Sequence, residues 1–237
     1  MTRTPEAARV WMRAGTAWFA SVVDGLDDAT LSADTRLPGW TGRHLLAHVA
    51  ANATALSNLA TWARTGVETP MYTSAGQRAA DIEAGATRPV SQLRAWFTET
   101  ADRLAADLDV LTDRQWSAPV RTAQGRTLPA SEIPWLRTRE VVVHAVDIDP
   151  AGNFISVPLD VADALVDDVV AKRSTAGDGP ALLLAATDTG REWKVDGIGD
   201  AARLEADTTT LAGWLTGRET LPPDAGAQPA PILPPWL

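Results

Sequence analysis

Two pairs of side chains in this chain have the type and spacing to do chemistry. His44 and His48 lie four residues apart, and so do Glu140 and His144. On an α-helix, residues i and i+4 share one face, so each pair projects together. Imidazole and carboxylate are good ligands for borderline divalent metals, zinc first among them. The chain has three histidines, all of them in these two pairs, and no cysteine. A disulfide, a thiolate nucleophile, an iron–sulfur cluster and a cysteine-ligated zinc are therefore excluded. The sequence contains no P-loop, no dinucleotide glycine fingerprint and no nucleophile elbow.

Polar pairs at helical spacing also occur as ordinary contacts, so a purely structural reading competes with a metal site. Burial separates the candidates. His48 lies between Leu45 and Val49 on the apolar side of its segment. Glu140 and His144 sit within Glu140-Val141-Val142-Val143-His144-Ala145-Val146, a run that is otherwise buried in character. A carboxylate and an imidazole are costly to bury there without a partner, and a shared cation removes that cost. His48, Glu140 and His144 are thus the candidate ligands. His44 is one turn nearer the helix start and reads as a polar residue at the rim or as a support for the ligands. Three protein ligands leave a fourth tetrahedral position open, the pattern of catalytic rather than structural zinc. That position can hold water or a substrate thiol, which the metal would deprotonate.

Other candidates are weaker. Arg218 follows Gly217 at the end of the last predicted helix. Its planar fork can grip a carboxylate, or its charge can simply offset the helix dipole. Arg126, Arg137 and Arg139 could face one cavity. Most of the ten Trp residues read as core, with Trp40 and Trp135 as candidates for a pocket mouth.

The elements that must position these groups are mostly helical up to about Pro150. A helix is predicted from Pro5 to about Val23, with Val10, Ala14, Ala17, Trp18 and Ser21 at helical spacing. Thr41 caps a second helix that carries Leu45, Val49, Leu56, Leu59 and Trp62 and stops at Gly66. A short helix is expected near Gln77 to Glu83. A third long helix follows Pro89, with Leu93, Trp96, Phe97, Thr100, Leu104 and Leu108 as its stripe. Ala118 to Pro129 reads as a loop or small hairpin around Gly125. Ser131 is predicted to cap the fourth helix, which ends near Val146. Beyond Pro150 the pattern changes to a helix over Pro158 to Arg173 and a hairpin of Pro180 to Ala186 with Arg191 to Val195. A possible third strand follows at Ala202 to Ala206, then a last helix from Asp207. The proline-rich tail from Leu221 suits an extended strap. The fold class is therefore α+β: a four-helix domain over residues 1–150 and a small α/β domain over 151–237.

Composition narrows the partners. The net charge of −9 over 237 residues disfavours nucleic acid and anionic membrane. Met1 to Val10 lacks an apolar run of signal-peptide type, and no apolar stretch is long enough to span a bilayer. A cytoplasmic protein acting on a small molecule is expected, with a monomer favoured.

The motifs also match a known pattern. Leu37-Pro38-Gly39-Trp40-Thr41, followed by His44-Leu45-Leu46-Ala47-His48-Val49-Ala50 and Asn52, resembles the metal-binding helix of the mycothiol-dependent maleylpyruvate isomerases. Thr65-Gly66-Val67-Glu68-Thr69-Pro70-Met71-Tyr72 is similar to the same family, as are Thr122-Ala123-Gln124-Gly125-Arg126-Thr127, Pro129-Ala130-Ser131-Glu132, Arg139-Glu140-Val141 and the terminal Pro234-Pro235-Trp236-Leu237. The resemblance implies a DinB-like four-helix bundle with a small C-terminal α/β domain. It implies zinc on His48, Glu140 and His144, mycothiol as the thiol cofactor, and a functional Arg at Arg218, here in the context Thr216-Gly217-Arg218. The implied reaction is isomerisation of maleylpyruvate to fumarylpyruvate in gentisate degradation, by thiolate addition, bond rotation and elimination. A mycothiol S-transferase acting on electrophiles would need the same ligands. A non-enzymatic metal-binding stress-response module is the alternative of a different class.

Overall fold

The computed structural model describes residues 4–236. It divides into two compact units, one from Thr4 to Ala151 and one from Gly152 onward.

The first unit is built on four long helices. α1 spans Pro5–Gly25, and the Thr4 hydroxyl accepts from Ala7 N at 3.1 Å to cap it. Its buried face is Ala8, Trp11, Met12, Gly15, Phe19 and Val23. The predicted stripe is offset from this face: Val10 is 65% exposed, and Ala14, Ala17 and Ser21 are exposed too. Two helical series interleave here, and the one with Trp11, Met12 and Phe19 buries more apolar area. A short α2, Asp28–Ser32, is capped by Asp27 and was not anticipated.

α3 spans Gly42–Thr65 and is buried nearly all round, because it packs on three other helices. Gly66 ends it at φ 73°, a left-handed conformation that favours glycine. α4, Ala75–Ala86, lies against α3 and extends the predicted short helix at both ends. α5, Val90–Asp109, buries Val90, Leu93, Phe97, Thr100, Leu104 and Leu108, while Trp96 is only half-buried. The one-turn α6, Asp113–Trp116, is followed by a small antiparallel hairpin of β1, Pro119–Arg121, and β2, Thr127–Pro129. α7 spans Ile133–Ile148. Ser131 does not cap it: Ala130–Glu132 form a 3-10 turn that leads straight into the helix. Pro134 fits the first turn, where no backbone donor is needed.

α7 packs chiefly on α1, and α3 on α5 and α7. One position sets how closely α1 approaches α7. A Cβ at Gly15 would lie 2.9 Å from Val141 Cγ2 and 3.0 Å from Val142 Cγ2.

In the second unit, α8 spans Leu159–Ala176. A three-stranded sheet has the order β4-β3-β5. β3, Pro180–Ala186, pairs antiparallel with β4, Glu192–Val195, and parallel with β5, Ile198–Ala206. Leu184 faces Trp193 on one side and Leu204 on the other. The chain passes from one edge of the sheet to the other at Gly197. A Cβ there would lie 2.4 Å from Gly179 O and 2.7 Å from Pro180 O, so only glycine fits. α9, Thr208–Leu215, is capped by Asp207, which accepts from Thr210 N at 2.8 Å. The tail is an extended strap as expected. Glu205 N donates to Ala225 O at 2.7 Å, Arg173 Nη1 to Pro234 O at 3.1 Å and Lys172 Nζ to Trp236 O, and Trp236 is buried. No helix among the described residues is long and apolar enough to cross a membrane.

Gly15→Val tests the α1–α7 approach. Overpacking should destabilise the protein by about 1–3 kcal/mol. A denaturant melt checks this, and unchanged stability would show that the two helices separate freely.

Candidate metal centre

His48 belongs to the second turn of α3, and the start of that helix is fixed by a capping box. His44 Nδ1 accepts from Thr41 N at 3.2 Å and lies 2.8 Å from Thr41 Oγ1. Its Nε2 is 3.5 Å from Glu83. His44 is thus the support for the ligand helix, and it lies outside the ligand cluster. Glu140 and His144 come from successive turns of α7, which packs directly on α3.

The three predicted ligands meet. His48 Nε2 is 3.0 Å from Glu140 Oε2, and His144 Nε2 is 3.5 Å from the same oxygen. One ligand atom from each residue lies within 4.8 Å of the others. A tetrahedral centre with ligands at ~2.0–2.1 Å holds its donors about 3.3 Å apart, so this cluster has the right size. Among the described residues no fourth His, Asp or Glu joins it.

The surroundings orient the donors. Asp147, 2% exposed, lies one turn below His144, and its Oδ2 is 2.9 Å from His144 Nδ1. A proton held on Nδ1 leaves Nε2 free to bind metal, the usual arrangement of carboxylate, histidine and metal. Arg78 Nη2 on α4 is 3.3 Å from His48 Nδ1. Arginine only donates, so this contact places the ring proton of His48 on Nε2, facing Glu140. A metal bound at Nε2 would require that proton to move or leave and the Arg78 contact to give. The Trp40 ring stands 5.3 Å from the His48 ring, and the two imidazoles are edge to face at 5.1 Å.

Charge follows from these contacts. Burial pushes the His48 pKa down, against the pull of Glu140, so this ring is neutral. Burial opposes charge on His144, but hydrogen bonds to Asp147 and Glu140 outweigh it and hold the ring at about 9. Burial also opposes ionised Glu140, and the bonds to His144 and His48 overcome it, keeping the carboxyl well below its usual range. Burial raises the Tyr72 phenol, with Arg78 opposing.

Several expectations change. Trp135 is not at a pocket mouth: it is 1% exposed and stacks edge-on against Trp11 at 6.0 Å. Trp40 does line the site. Arg126 is exposed on the hairpin while Arg137 is fully buried, so the expected arginine group does not form as one cluster. Arg218 follows α9 in the second unit, half-buried, with Nη1 donating to Thr216 O at 2.6 Å. Sequence reasoning gave no role to Asp147 or Arg78. Asp147 was findable from its i+3 spacing to His144. Arg78 was not, because nothing local in the sequence ties α4 to His48.

Residues 12–149 match the family model described as the mycothiol maleylpyruvate isomerase N-terminal domain. No protein of curated function matches the chain. A crystal structure of the mycothiol-dependent maleylpyruvate isomerase is 32% identical, with a TM-score of 0.91 and 100% coverage of both chains. A histidine-to-alanine variant of that enzyme gives the same values. YfiT from Bacillus subtilis, described as a probable metal-dependent hydrolase with an unusual four-helix bundle topology, is 20% identical, with a TM-score of 0.51 over 62% of this chain and 88% of that one. At that identity the likeness shows a shared fold, and the α+β class with a DinB-like bundle is the architecture of this protein. With more than half of its length matched by the family model, the chain belongs to the mycothiol maleylpyruvate isomerase family.

Proposed function

We propose that the protein binds zinc through His48, Glu140 and His144 and uses mycothiol to isomerise maleylpyruvate to fumarylpyruvate in cytoplasmic gentisate degradation. The observation that carries this is the cluster of two imidazoles and one carboxylate, which no fourth His, Asp or Glu among the described residues joins. Bound zinc supplies a Lewis acid that lowers the pKa of a coordinated thiol.

The reaction needs no redox partner. Addition of a thiol across the cis double bond leaves a single bond that rotates, and loss of the same thiol restores the alkene as trans. The chain's own groups do the rest. Asp147 keeps the His144 lone pair directed at the metal. Glu140 brings one negative charge, so the centre with zinc and two neutral rings stays cationic and favours an anionic substrate. Trp40 walls one side and keeps water from the ring of His48. Arg218 is assigned to the substrate carboxylate, which its planar fork fits, and to the negative charge that develops as the thiol adds.

Three outcomes test this. His144 holds a proton up to about pH 9 in the metal-free protein, and zinc must displace it. Apparent zinc affinity should therefore rise roughly tenfold per pH unit between 7 and 8, with about one proton released per zinc. Calorimetry in buffers of different ionisation enthalpy reads this directly, and an affinity independent of pH would contradict it.

Asp147→Asn removes the partner of His144 Nδ1. Zinc should bind about 10–100-fold more weakly while the fold persists. Equal affinity in a chelator competition would show that His144 needs no orienting group.

Turnover decides between isomerase and transferase. With zinc and mycothiol, maleylpyruvate should give fumarylpyruvate with the thiol recovered, and Arg218→Lys should lower kcat/KM at least about a hundredfold with zinc content unchanged. Stoichiometric loss of thiol would indicate a transferase, and no reaction at all a metal-binding module.

A further inference from the structure

The metal centre leaves one buried charge unexplained. Arg137 on α7 is 0% exposed. Its Nη1 donates to Val49 O at 2.6 Å and to Asn52 Oδ1 at 3.1 Å. Its Nε and Nη2 are buried and hydrogen-bond to nothing among the described residues. Nε and Nη2 form the edge of the guanidinium that grips a carboxylate side-on with two parallel bonds. Burial pulls the Arg137 pKa down to about 10, against the opposing pull of Glu140 and Tyr72. A charged group with unmet donors is costly to bury, so this edge is built for an anionic partner.

A cavity lies beside this residue. It has a volume of about 300 Å³, between α1 and α5, and Arg137 is part of its wall. Met12, Phe97 and Leu104 give it apolar sides. The Phe97 ring centroid is 5.9 Å from the guanidinium carbon. Arg13 and Asp102 are its exposed charged members, and Arg13 is already paired with Asp109 at 2.6 Å. His48, Glu140 and His144 are not among its walls.

We infer that this cavity is a binding site for a small organic carboxylate with an apolar body, held side-on by Arg137 and separate from the metal centre. The walls select the class. Met12, Phe97 and Leu104 offer nothing to a strongly hydrated inorganic anion, whereas an aliphatic or aromatic acid fills the apolar part and meets Arg137 with its head group. The volume matches the low end of small-molecule sites. The inference does not depend on the reaction proposed above.

Calorimetry and ligand-observed NMR on the zinc-loaded full chain test it, with hexanoate and benzoate as probes and hexanol and benzyl alcohol as uncharged controls. At least one acid should bind saturably, one per chain, and its alcohol should not. Binding should survive removal of zinc by chelation. Arg137→Met keeps the bulk and removes the fork, and should weaken binding at least about tenfold. Ala101→Leu fills the cavity from α5, leaves Arg137 in place and should weaken binding comparably. If Arg137→Met does not fold, Ala101→Leu decides. Absence of saturable binding would mean that water alone serves the Arg137 edge, and would overturn the site. Binding that vanishes with the zinc would put the acid on the metal, and would overturn it too. So would binding that both variants leave unchanged.

Discussion

The Glu140 carboxylate, shared between two imidazoles from two different helices, is the interaction around which the first unit is arranged. A buried carboxylate is tolerated only where partners meet it. His48 approaches from α3 and His144 from the next turn of α7, both against one oxygen. The surrounding fold fixes that meeting. Gly15 lets α1 lie close on the back of α7. The Thr41–His44 box sets where α3 begins, and hence which turn carries His48. Asp147 reaches the outer nitrogen of His144, and Arg78 that of His48. These contacts come from several elements, which makes the site an attribute of the bundle rather than of a motif.

The long helices and the clustering of His48 with Glu140 and His144 were legible because both rest on local rules. Spacing of four puts Glu140 and His144 on one face whatever surrounds them. Thr41 and Gly66 bracket α3 by cap and left-handed turn. What failed was what packing decides. The buried face of α1 is not encoded locally, because Val10, Ala14 and Ala17 keep helical spacing as well as Trp11, Gly15 and Val23 do. Trp135 looked like a rim residue from its place near a helix start, but Trp11 on α1 covers it. Ser131 has the chemistry of a cap, yet a 3-10 turn carries the chain into α7 without one. Arg78 and Arg137 acquire their meaning only across elements, from α4 to His48 and from α7 to the cavity beside α5. No pattern along the chain encodes such contacts.

The proposed chemistry rests on a division of labour. The chain has no cysteine, so it brings no thiol of its own. Family membership and an open two-histidine, one-glutamate cluster both fit a protein that supplies the metal and the shape while a small molecule supplies the sulfur. Two buried basic groups then differ in their surroundings. His144 stands within the candidate ligand cluster, whereas Arg137 lies beside a separate cavity with two donors that no described protein group meets.

Zinc K-edge X-ray absorption on the loaded protein, before and after addition of mycothiol, tests the central claim most directly. The expected first coordination shell is nitrogen and oxygen alone, with two imidazoles, and then one sulfur at about 2.3 Å once mycothiol is present. The chain has no cysteine to contribute that sulfur. A shell that stays free of sulfur with mycothiol at saturation, or one without two imidazoles at the start, would contradict it.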